Sequence, residues 1–251
     1  MIVSDNNSID NTNEIVNDFK FVYYLKNKVN IGYDANVCNL INRAEGYYIW
    51  ILSDDDELGI DALNNIYNIL KNKQIDLYYM EPRFFKNKHE DGSNNFHEKI
   101  YKDANEALRD ASWLISFVSS WIMKQNFCRK ELGSFMGLGF IHTPIILDIM
   151  SHGKTARIEG NTIFARMGNS SSYDKYLYFG PNFRYIITKF EKNFKKEQIN
   201  YLLKMWIKKC LIGNIYEDKK NNKFKLRDAY NIATAYYDLS YFWTRVLWKM
   251  I

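Results

Sequence analysis

The chain has 251 residues, 47% hydrophobic, 25% charged and 16% aromatic, with 12 Gly and only 3 Pro. That composition supports a sizeable packed core and excludes a fibrous or disordered chain. The formal charge of +5 is uneven: residues 190–251 carry 13 basic and 6 acidic side chains, a surplus of +7, while the remainder nets −2.

In chain order, Ile2-Val3 reads as the end of a strand and SDNNSIDN as a polar turn. A helix follows, capped by Asp10 or Asn11, with Ile15, Val16 and Phe19 as its apolar face. Phe21 to Leu25 is a short strand, Asn30 to Tyr33 a turn, and Ala35 to Ala44 a helix stopped near Gly46. Tyr47 to Leu52 (YYIWIL) has the continuous apolar character of a buried parallel strand, and it ends abruptly at SDDDE. Asp61 to Leu70 is an amphipathic helix whose expected face is Leu63, Ile66, Ile69 and Leu70, and Ile75 to Met80 is the next strand. Strand–helix alternation of this kind implies an α/β fold with a mostly parallel, Rossmann-like sheet.

Lys86 to Asn95 reads as a polar loop, Asp103 as a helix cap, Ser116 to Met123 as a strand, and Thr143-Pro144 as a helix start. ARIEGNTIFARMG holds one or two strands. After Gly168 the pattern turns helical over Tyr185–Phe194, Gln198–Leu211 and Leu226–Trp248. The expected organisation is a catalytic domain over residues 1–180 and a helical C-terminal region over 181–251.

Two segments point to chemistry. The run Asp54-Asp55-Asp56 directly follows a buried strand, and ligands of open α/β sheets bind at strand carboxyl ends. Adjacent carboxylates repel unless a cation neutralises them, and Mg2+ or Mn2+ suits such oxygen ligands and bridges them to a diphosphate. A solvated acidic turn is the plainer reading of DDD alone; its position after YYIWIL favours the site. IVSDNNSIDNT also follows a strand, and its short polar side chains suit a base or ribose. Its asparagines also suit an ordinary turn, which leaves Asp5 unexplained.

These segments, together with NIGYDANVCNLINRAEGYYIWILSDDDEL, resemble the family 2 glycosyltransferases over about Ile2 to Met80, and more weakly over Ser116 to Asn169 the bacterial abequosyltransferase-like enzymes that build cell-surface polysaccharides. The resemblance implies a GT-A fold and transfer of a sugar from a nucleotide-sugar donor to a saccharide acceptor, commonly lipid-linked. Asp5 then matches the base-recognising aspartate, with Asn7 beside it. Asn30 and Gly32 match the loop closing on the donor, with Asp34 adjacent. Asp54, Asp55 and Asp56 match the DXD-type site, Asp55 and Asp56 as the metal ligands and Asp56 also in the catalytic set.

There are two departures from the family. A VSVIIPTYNR-like first strand and turn is absent, so the first strand here corresponds to the family's second. In addition, SFMGLGFIHTPIIL carries no acid where a catalytic base is expected, and His142 stands there instead. His142 is the candidate base, against the plainer reading of a packed helix-cap histidine; Glu131, Glu159 and Asp34 are weaker candidates. A noncatalytic remnant that keeps the half-site is the rival function, supported by the missing strand.

No GxSxG, HExxH, Walker A or GxGxxG motif occurs. Cys38, Cys128 and Cys210 lack ligand spacing and read as reduced thiols. No leader peptide and no apolar run of about 18 residues is present, so the expected location is cytoplasmic. The basic tail bears Trp206, Trp243 and Trp248 and carries mostly Lys rather than clustered Arg, which suits an anionic membrane surface better than a nucleic acid. The tail therefore predicts a peripheral protein on the inner face of the plasma membrane, although a packed helical flank fits the same pattern.

Overall fold

The structure is a computed structural model that describes residues 1–72, 74–85, 95–128, 132–166 and 174–240. Its elements are β1 (Ile2–Asp5), α1 (Thr12–Asn17), β2 (Tyr23–Lys26), α2 (Tyr33–Arg43), β3 (Tyr48–Trp50), β4 (Glu57–Leu58), α3 (Ala62–Leu70), β5 (Leu77–Met80), β6 (Arg83–Phe85) and β7 (His97–Ile100). There follow α4 (Ala104–Ala111), two 3-10 turns (Ser112–Ser116 and Val118–Ser120), β8 (Trp121–Lys124), α5 (Gln125–Cys128), α6 (His142–His152), β9 (Thr155–Glu159) and β10 (Ile163–Arg166). The helices α7 (Lys175–Leu177), α8 (Phe183–Phe190), α9 (Lys196–Trp206), α10 (Ile212–Lys220) and α11 (Leu226–Tyr236) complete the described chain.

The expected alternation is present, but the sheet is mixed rather than mostly parallel. A five-stranded sheet has the order β3-β8-β5-β9-β7, a three-stranded one β4-β10-β6, and β1 and β2 pair separately. Parallel pairing holds for β1–β2, β5–β9 and β6–β10. The pairs β3–β8, β5–β8, β7–β9 and β4–β10 are antiparallel. The reason lies in the route of residues 112–120. The two 3-10 turns deliver the chain to the carboxyl end of β3, where Ser53 N–H bonds Ser119 Oγ at 3.0 Å, so β8 has to run back along β3 and β5. The expected strand over Ser116 to Met123 is thereby shortened to Trp121–Lys124, and β4, β6 and β7 are strands that periodicity missed.

The sheet is covered on both faces. On β5, Leu77 and Tyr79 enter the larger core while Tyr78 and Met80 enter a second one with Ile66, Ile122 and Ile158. A period-2 backbone buried on both sides accounts for an unbroken LYYM. On α3, Ala62 and Ile66 are buried, whereas Leu63, expected on the apolar face, is 62% exposed and is not part of the buried face.

The larger core runs from Val37 of α2 through Trp121, Ile146 and Phe183 to Tyr236 of α11, so the C-terminal helices share it. Trp206 is its hub there. It is 1% exposed, stacks on Phe183 at 3.8 Å and donates its indole N–H to Phe179 C=O at 2.9 Å. Trp206 is therefore not a membrane-inserting residue; Trp243 and Trp248 lie outside the described residues. No helix among the described residues is long and apolar enough to cross a membrane.

Candidate active site

Polar side chains from the N-terminal turn and the start of α2 form one group, and those at the end of β3 form a second. In the first, Asp5 is 4% exposed at the end of β1. Its carboxylate accepts Ser8 N–H at 2.6 Å and Tyr24 Oη–H at 2.5 Å, with Lys26 Nζ at 3.6 Å. Burial alone raises its pKa, but these hydrogen bonds and the lysine charge outweigh that and hold it at about 2. Asn7 is exposed at the tip of the turn with φ 72°, a left-handed conformation that asparagine tolerates better than most side chains.

Asn30 belongs to an amide network that joins this turn to α2. Its Oδ1 accepts from Asn6 Nδ2 and Gly32 N–H, both at 2.9 Å. Asn6 Oδ1 accepts Ile31 N–H at 2.9 Å and Asn27 Nδ2 at 3.1 Å, and Asn36 ties Asn27 to Ser4. Gly32, with φ 82°, occupies backbone space that a side chain rarely adopts and forms the cap of α2. Asn6, Asn27 and Asn36 escaped sequence reasoning because their role depends on one another; only the density of asparagines hinted at it.

Asp34 points away from this turn. Its carboxylate accepts Gly139 N–H at 2.8 Å and Ile141 N–H at 3.1 Å, clamping the segment before α6 onto α2. Burial raises its pKa, against the pull of those backbone donors. Its neighbour Tyr33 donates its hydroxyl to His142 Nδ1 at 2.9 Å, while His142 Nε2–H donates to Ser116 C=O at 2.8 Å. Both ring nitrogens are thus engaged. His142 is 2% exposed, and burial lowers its pKa to about 4, so the ring is neutral at physiological pH. As placed, neither nitrogen is open to an acceptor hydroxyl. Glu159 lies within salt-bridge distance of Arg157 and His97, and Glu131 lies outside the described residues.

The second group is the acidic run. Asp54 is exposed, Asp55 and Asp56 are half-buried, and the turn closes through Asp56 N–H to Ser53 C=O at 3.4 Å. Asp56 Oδ2 is buried without a hydrogen-bond partner. Burial raises the Asp56 pKa; a hydrogen bond from Ser119 opposes this, the charge of Asp55 adds to it, and the Arg166 backbone N–H is a further donor. Gly59 makes the close approach behind this turn possible: a Cβ there would lie 2.0 Å from Asn161 O.

An oxygen-preferring cation fits this arrangement. Among the described residues no group of three or more His, Cys, Asp or Glu converges. Mg2+ is typically held by only one or two carboxylates, with waters and substrate phosphates supplying the other ligands. Asp56 Oδ2 is a buried acceptor of the kind such a cation satisfies, and Asp55 is its neighbour.

A mixed sheet flanked by helices, with carboxylates at the carboxyl end of β3 and a polar turn after β1, is a fold of the GT-A type. The sequence model of glycosyl transferase family 2 matches residues 1–131, and the chain belongs to that family. Abequosyltransferase RfbV of Salmonella typhimurium (strain LT2) is 37% identical over 81 residues, 30% of this chain and 24% of that protein, so the match spans about a quarter of the relative. Among solved structures, TarS 1-349 of S. aureus in complex with UDP-GlcNAc matches with a TM-score of 0.64 at 11% identity, covering 93% of this chain and 69% of that one. The complex of the same protein with UDP gives 0.59 at 12% identity, covering 91% and 67%. At such identity the likeness is one of fold.

Proposed function

We propose that this protein is a glycosyltransferase that moves a sugar from a nucleotide-sugar donor to a saccharide acceptor in cell-surface polysaccharide synthesis. The observation that carries this reading is the buried, unpartnered Asp56 Oδ2 beside Asp55 at the carboxyl end of β3. Asp5 and the Asn6–Asn30 network bind the nucleoside, and Gly32 shapes the turn over it. Asp55 and Asp56 would hold Mg2+ or Mn2+ against the diphosphate. When bound, such a cation supplies Lewis-acid stabilisation of the leaving diphosphate. His142 acts by holding Ser116 and Tyr33 in place, so the base that takes the acceptor proton is a group other than its imidazole as placed here.

The test is calorimetry with UDP, GDP, CDP and dTDP in Mn2+. Binding of one of these by the wild type should fall at least tenfold in Asp56→Asn, while the metal-free variant melts higher because a buried uncompensated charge is gone. Equal affinity in both proteins would remove the metal assignment. Nucleotide binding without any sugar transfer to a saccharide pool would favour the noncatalytic reading.

The acceptor we propose is carried on a lipid. Lys208 and Lys209 are exposed beside the buried Trp206 and offer a basic surface to anionic headgroups. Anionic vesicles should sediment the protein at low salt, and Lys208→Glu with Lys209→Glu should weaken this, each basic residue being worth about 1 kcal/mol at most. Sedimentation unaffected by salt or by these changes would defeat the membrane part alone.

A further inference from the structure

We propose that Phe84, Trp113 and Phe117 form a stacking platform for one sugar ring of the acceptor, an inference that rests on the transferase reading above. Phe84 is 45% exposed on β6, although it lies within a strand. Its ring stacks on Trp113 at 5.9 Å with an interplanar angle of 23°, and meets Phe117 edge-on at 6.0 Å. Strand alternation sends Arg83 and Phe85 to the opposite face, and Phe85 is buried there, so Phe84 is not a stray core residue.

The platform lies close to the acidic run. Phe84 pairs with Ala165 of β10, whose neighbour Arg166 gives its backbone N–H to Asp56, and Asp56 immediately precedes β4 on the far side of β10. Two strand spacings, about 10 Å, therefore separate Phe84 from Asp56, a span that a short saccharide bridges. The rings are also preorganised. Thr143 Oγ1 donates to Ile115 C=O at 3.1 Å, Ser116 Oγ to Trp113 C=O at 2.9 Å and Trp50 Nε1 to Ser119 C=O at 2.8 Å. His142 pins Ser116 C=O from the other side, so the segment that carries Trp113 and Phe117 is held at both ends.

The chemistry selects a saccharide. The C–H face of a pyranose is apolar and slightly positive, matching the electron-rich face of an aromatic ring, while its hydroxyls remain free for polar groups or water. A stable protein partner needs on the order of 800 Å² per side, far more than one exposed ring and two half-covered ones offer.

The experiment uses the full chain as wild type, Phe84→Ala and Phe84→Trp, with thermal melting to verify folding; Phe84 is exposed, so its replacement leaves the core intact, and Phe84→Trp supplies a second variant should Phe84→Ala fail to fold. The probes are methyl α-glucoside, methyl α-galactoside, methyl α-mannoside, mannobiose and chitobiose, followed by saturation-transfer NMR and tryptophan fluorescence. The expected result is binding of at least one saccharide, weakened at least tenfold in Phe84→Ala and restored in Phe84→Trp, with Mn2+-dependent nucleoside diphosphate affinity equal in all three. Equal saccharide binding by Phe84→Ala overturns the platform. So does a wild type that binds a nucleoside diphosphate but none of the saccharides, and in that case the transferase reading stands. Protein that binds neither probe class overturns both.

Discussion

His142 joins three parts of the molecule through one ring: Tyr33 of α2, Ser116 of the 3-10 turn and the start of α6. Its folded pKa of about 4 lies below the ordinary 6.5, so the unfolded chain takes up the proton first as pH falls. The stabilisation is fully present above pH 6.5 and is lost as pH drops towards 4. A shift of that size corresponds to about 3 kcal/mol. Urea denaturation from pH 7 to pH 4 should show this loss in the wild type and a flatter profile in His142→Gln. Parallel profiles would mean that His142 titrates normally. The sequence singled out His142 as a candidate base, but its neutral, doubly bonded state depends on Ser116 and Tyr33, which lie 26 and 109 residues away.

At the scale of elements, α2 is the link between the polar turn after β1 and the segment before α6. Its first turn sends Tyr33 and Asp34 across to residues 139–142, while Val37 and Ile41 enter the core with Ile49 and Ile51. Replacing Asp34 by Ala would leave the Gly139 and Ile141 N–H groups without their acceptor, and an unsatisfied buried donor costs about 1–3 kcal/mol. Asp34→Ala should therefore lower stability by about 3 kcal/mol in denaturant titration, with Asp34→Asn intermediate. A change below about 1 kcal/mol would show that water replaces the carboxylate easily. The helix was legible in the sequence to within a few residues. The clamp was not, because Asp34 reads equally well as a residue of the donor loop until the 137–141 segment is seen above it.

For the whole molecule, the C-terminal helices share one hydrophobic core with the rest of the described chain. Phe183, Trp206, Phe140 and Phe179 meet in one aromatic cluster, and Tyr236 Oη donates to Phe179 C=O at 2.6 Å. Trp206→Ala should destabilise the protein by about 3–5 kcal/mol, the usual cost of emptying a large buried aromatic site. It should also melt both regions in a single transition. Separate transitions by near-ultraviolet circular dichroism and calorimetry would instead support two independent units divided near residue 180.

The alternation of apolar strands with helices was enough to specify an α/β fold, and the resemblance carried by IVSDNNSIDNT and IWILSDDDEL was enough to specify the transferase family. Those features are local: a buried strand needs consecutive apolar residues, and ligand groups at its end follow within a few positions. Tertiary structure decided the rest. It turned β8 antiparallel, made Asp34 a clamp, closed both nitrogens of His142, buried Trp206 and brought Phe84 beside Trp113 and Phe117. Each of these outcomes depends on partners 23 to 109 residues apart or on the direction in which a connection returns, and the hydrophobic period of a single segment carries no information about either.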